Sequence, residues 1–90
     1  MAVYSINYDL NRPGQNYAGL IKAIEDAFPA RWNCLKSTWL VRSDSTSVKI
    51  RDHLLPHIDS NDKLFVSEVT RNCAWSGFPE AGSKWLKESF

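Results

Sequence analysis

Residues 2–10 alternate strictly, with Tyr4, Ile6, Tyr8 and Leu10 on one side and Val3, Ser5, Asn7 and Asp9 on the other. This is the period of a half-buried β-strand. It constrains the chain more than any other feature, because a slip of one residue would exchange the two faces and bury the polar set. The apolar face needs helices or a second layer to cover it. The other face is mostly polar and ends in a carboxylate, so it belongs in water or against a partner.

The rest of the chain supplies the cover. Asn11, Arg12, Pro13 and Gly14 have turn chemistry, and Asn16 is suited to cap a helix. Tyr17, Leu20, Ile21, Ile24 and Phe28 then recur at steps of three and four, which predicts a first helix ended by Pro29. The run "RWNCLKSTWLVR" is too long for one strand in a 90-residue domain and is expected to fold back near Lys36 and Ser37 as a hairpin. Residues 43–46 offer several N-caps for a second helix carrying Val48, Ile50, Leu54 and Leu55 and broken by Pro56. "KLFVSEV" has apolar residues on both faces, as a strand covered on both sides would.

The predicted order is strand, helix, strand, strand, helix, strand. That is an α+β ferredoxin-like βαββαβ unit, an antiparallel sheet with two helices on one face. It occupies residues 1–70. Residues 71–90 form a C-terminal extension with "WSGFPEAG" as a loop and a short helix over 83–90, and Trp75, Phe78, Trp85, Leu86 and Phe90 are too apolar to be left in water. The extension is expected to pack on its own subunit or on a partner's.

Composition bounds function more than it selects one. A chain of this length buries roughly 60–65% of its unfolded surface, so the core is thin and a partner can contribute to stability. Eleven basic against ten acidic residues leave a net charge of +1, without the basic excess of a dedicated duplex binder. No apolar run has the length of a membrane span and the first residues do not read as a signal peptide, so no membrane contact and a cytoplasmic location are expected. Cys34 and Cys73 lack the spacing of a zinc motif and are read as reduced, small apolar side chains.

"YSINYDL" followed by a turn and helix, then "STWLV" and "NDKLFV", resemble the small CRISPR-associated Cas-two family, more closely its SinR-like relatives, and more distantly the virulence-associated protein D ribonucleases. The resemblance spans about residues 2–69. It implies a homodimer joined through its sheets, with Asp9 facing its mate across the twofold axis. Some members of the family cut RNA or DNA with a magnesium ion held there, and others hold DNA without chemistry for a partner integrase. Carried over, Asp9 is the metal ligand (Mg2+), with Ser37 and Arg12 assisting, and Trp39 stands where the family has phenylalanine. The chain departs from the family where basic residues often follow the aspartate, since only Arg12 stands in "NRPGQN". It also has Leu40 at a position that is often acidic.

Other candidates have plainer readings beside the functional ones. Asp9 also suits a strand-end cap for the turn that follows it. Arg31, Lys36 and Arg42 on the hairpin are candidate phosphate contacts, or edge charges that discourage strand pairing. His53 and His57 have the spacing of a metal pair on one helical face, but Pro56 between them favours exposed, independent histidines. Tyr4 and Tyr8 are expected to pack beneath the helices with their hydroxyls at the rim. Trp32 and Trp39 are assigned to core or interface rather than to base stacking. Two functions follow: a metal-dependent endonuclease, or a dimeric scaffold that binds nucleic acid or protein without cleaving it.

Overall fold

The computed structural model describes residues 1–10 and 18–90. Strands β1 (Ala2–Asp9), β2 (Arg31–Leu35), β3 (Thr38–Ser43) and β4 (Lys63–Val69) form one sheet. Helices α1 (Ala18–Ala27), α2 (Ser47–Leu54) and α3 (Glu80–Glu88) complete the fold. The strand order is β2-β3-β1-β4 with every neighbouring pair antiparallel, an α+β arrangement compatible with the ferredoxin-like unit. The turn and N-cap expected over residues 11–16, and with them Arg12, lie outside the described residues.

Alternation in β1 sorts the two faces as expected. Tyr4 and Ile6 join Trp39 and Val41 of β3 in a core completed by Leu20, Ala23, Ile24 and Phe28 from α1 and Ile50 and Leu54 from α2. Both tyrosine hydroxyls find partners at the rim of that core. Tyr4 donates to the Ser45 carbonyl at 2.7 Å, and Tyr8 accepts from Trp39 Nε1 at 3.3 Å.

Local chemistry sets the helix ends. Helix α1 carries no basic residue in its last turn, and Arg31 supplies the missing cation. Its Nη1 donates to the carbonyls of Glu25 at 3.2 Å and Phe28 at 3.1 Å, where a helix leaves acceptors unpaired and its dipole favours positive charge. Of the candidate caps for α2, Thr46 is the one used, its Oγ1 accepting from the Lys49 N–H at 3.2 Å. The second helix buries only half its predicted apolar set. Ile50 and Leu54 are inside, while Val48 and Leu55 are exposed, because two buried positions at i and i+4 already span the contact of an eight-residue helix.

Helix α2 ends at Leu54, two residues before Pro56, as the sequence predicts. Pro56 sits at the start of a 3₁₀ turn, Leu55–His57, where a missing N–H costs little.

The extension packs on this chain's own sheet, on the face away from α1 and α2. Helix α3 starts at Glu80, three residues before the expected position. Gly77 takes φ 81°, the left-handed conformation glycine accepts without strain, and turns the chain towards the helix. Gly82 lies against the Trp32 indole so closely that a Cβ there would overlap it. Phe78 meets Trp32 edge-on with ring centres 4.7 Å apart, Trp85 lies 6.4 Å from the same ring, and Leu86 is 2% exposed. Trp75 Nε1 donates to Ser83 Oγ at 3.0 Å, tying the preceding loop to the helix.

Candidate functional site

The strand registers lay out the second face in rows. Arg42, Val3 and Val69 form the first, followed by Trp32, Leu40, Ser5 and Ser67. Leu35, Thr38, Asn7 and Phe65 form the third, and Asp9 with Lys63 the last. Helix α3 and its loop cover the first row and the Trp32–Leu40 end of the second, leaving Val3 only 1% exposed. No described residue outside the sheet covers rows three and four. Phe65 is 61% exposed and Leu35 55% exposed, so on this face β4 is covered only at its Val69 end, contrary to the reading of "KLFVSEV". Leu64 and Val66 pack towards the helices, and Phe65 points to the face that α3 does not reach.

The polar side chains of β1 bond to their neighbours across the open rows. Thr38 Oγ1 donates to Asn7 Oδ1 at 2.9 Å, and Asn7 Nδ2 donates to Ser5 Oγ at 3.0 Å and to the Phe65 carbonyl at 3.2 Å. The Ser5 and Ser67 hydroxyls share a further hydrogen bond of 2.9 Å. This network pairs the amide and three hydroxyls within the sheet, so the surface beside Phe65 is polar yet held in one arrangement.

Asp9 stands at the end of this ladder. It is exposed and opposite Lys63 in register, and the two help line a shallow groove with Asn7, Tyr8, Leu64 and Phe65. Ser37 is beside it, because the Tyr8 N–H donates to the Ser37 carbonyl at 3.1 Å and brings the hairpin turn alongside the end of β1. Lys36 precedes Ser37 in the same exposed turn. The structure therefore brings together Asp9, Ser37 and Lys36, and adds Lys63, to which the sequence analysis gives no role. The signal for Lys63 is its register as the first residue of β4 opposite the last of β1.

Arg31 and Arg42 are elsewhere. Arg31 is bound to the α1 carbonyls on the helical side and reaches Glu25 Oε2 at 3.9 Å. The Arg42 guanidinium lies 5.0 Å from the Trp85 ring centre, a cation–π placement beneath the extension, and its Nε is buried without a hydrogen-bond partner. Leu40, at the position that is often acidic in the resembling family, is 8% exposed and lines a cavity with Phe78 and Leu86. A carboxylate there would be buried beneath the extension rather than presented at the open edge beside Asp9.

Among the described residues no group of three or more histidine, cysteine, aspartate or glutamate side chains is placed to hold a metal ion. Among the described residues Asp9 is the one carboxylate lining the groove at the end of β1, with Lys63 opposite it in register, and hard divalent cations take more oxygen ligands than one carboxylate supplies. Neither a family model nor a solved structure matches the chain.

Proposed function

We propose that this chain is a Cas-two-like dimeric, nucleic-acid-associated protein of ferredoxin-like topology. Two protomers meet through the open rows of the sheet and bring the two Asp9 carboxylates together. The observation that carries this reading is the position of Asp9 at the edge of the uncovered half of a sheet face. That half presents Leu35 and Phe65 at its two ends and the bonded Thr38–Asn7 pair between them. Apolar ends around a polar centre are self-complementary under a twofold axis, as an isologous interface requires.

The paired carboxylates would serve as ligands for magnesium, which when bound polarises a phosphoryl oxygen and activates water. Ser37, Lys36 and Lys63 flank the same edge. The lysines would position RNA or DNA phosphates, the part that the resemblance gives to Arg12. In an assay of the purified protein, cleavage of single-stranded RNA or DNA requires magnesium or manganese. Asp9→Asn lowers it about a hundredfold with the circular dichroism unchanged. Cleavage that survives this substitution contradicts the assignment.

A second reading is favoured by the engagement of Arg31 and Arg42 elsewhere, which weakens the support available to a developing phosphorane charge. The same dimer then holds nucleic acid without cutting it, as a scaffold for an integrase or other partner. Binding that falls steeply with salt, with no cleavage on long incubation, distinguishes it.

A further inference from the structure

The chain contains two histidines, and both line one groove on the helical side of the molecule, a groove that Asp9 does not line. Residues of α1 form its opposite wall: Gly19, Lys22, Ala23 and Asp26. The 3₁₀ turn keeps His57 on the side of α2 that carries His53. Their ring centres are 6.4 Å apart, with the planes inclined at 53° rather than stacked. Two imidazoles sharing one ion at ~2.1 Å per nitrogen have ring centres about 5–6 Å apart, so small rotations of exposed side chains bring both nitrogens onto a common centre.

We propose that His53 and His57 form a two-imidazole site for a first-row divalent cation of the kind that prefers nitrogen ligands, Zn2+, Ni2+ or Cu2+. No third protein ligand is in place among the described residues, so water completes the coordination. Asp26 lowers the cost of bringing a cation into the groove, although Lys22 holds its Oδ2 at 3.0 Å and neutralises part of its charge. Nothing lies within 4 Å of where a Gly19 Cβ would be, which leaves that side of the groove open to water and ions. Imidazole selects against the hard cations that suit carboxylates, so this site and any magnesium site at Asp9 differ in the metals they take.

The test uses full-length protein without a polyhistidine tag, titrated with Ni2+ and followed by proton–nitrogen NMR of the imidazole side chains. Substoichiometric Ni2+ should broaden the signals of both rings together, and a hundredfold excess of Mg2+ should not restore them. Each of His53→Gln and His57→Gln should weaken Ni2+ binding at least tenfold by calorimetry, whereas Asp9→Asn should leave it unchanged. Broadening of one ring alone, or undiminished affinity in the double variant, which has no imidazole, would overturn the proposal.

Discussion

The two halves of one sheet face are built from adjacent stretches of the same strands, yet they meet opposite surroundings. At the Val3 end, Trp32, Leu40 and Val3 lie beneath α3 and even an arginine is drawn under a tryptophan ring. At the Asp9 end, Phe65 and Leu35 remain in water around a hydrogen-bonded polar strip. Helix α3 and the loop before it lie over the first half only. The covered half is thus part of the fold's stability, and the open half is the surface available to a second molecule.

That division can be broken from the covered side with the largest effects. Leu86→Ala removes a side chain that is 2% exposed and should cost about 2–5 kcal/mol in urea denaturation, with release of the extension. A loss below about 1 kcal/mol would mean that α3 is not seated as described. Gly82→Val forces a side chain into the Trp32 indole and should cost about 1–3 kcal/mol.

The same substitution has a chemical readout. Burial pushes the Cys34 thiol above the usual thiol range, and Cys34 lines the cavity between the sheet and the extension, opposite Cys73 and Trp75. Since the thiolate is the reactive form, Cys34 should be alkylated more slowly at pH 8 than a free peptide thiol, and faster once Gly82→Val loosens the cover.

Smaller effects sharpen the contrast. Arg42→Met should change stability by less than about 1 kcal/mol. The cation–π contact is lost, but so is a buried Nε that has no acceptor. Phe65→Lys should alter protomer stability least, by about 0.5 kcal/mol or less, because an exposed side chain gives up little burial. It should nevertheless abolish self-association in sedimentation equilibrium. A large loss of stability from Phe65→Lys would show that its half of the face is also part of the folded core.

Much of this architecture is legible in the sequence where a period and a punctuating residue agree. The strict alternation of β1, the stripe of α1 before Pro29, and β4 at Lys63–Val69 all fall where periodicity places them. The hairpin turn at Lys36 and Ser37 forms without a glycine or proline to mark it. Two features were not legible because they depend on distant contacts. The apolar character of Phe65 reads like a second buried face, and only the reach of α3 shows that it is uncovered. Pro56 marks the end of α2, but nothing in the sequence marks the 3₁₀ turn that follows and leaves two histidine rings 6.4 Å apart. At the candidate site, the place of Asp9 at the end of β1 followed from the alternation, but the distribution of cations did not. Arg31 and Arg42 look equivalent to Lys36 in sequence, and their engagement with a helix end and an indole appears only in three dimensions.

The most direct measurement is a crystal structure of the protein grown with manganese, read for the separation of Asp9 carboxylates between protomers. With metal–oxygen distances of about 2.1 Å, a shared ion requires the two carboxylates to approach within about 4–5 Å across a twofold axis, with an anomalous peak between them. That is the expected result. A monomer, or a dimer joined elsewhere that leaves the two Asp9 side chains far apart, would contradict it.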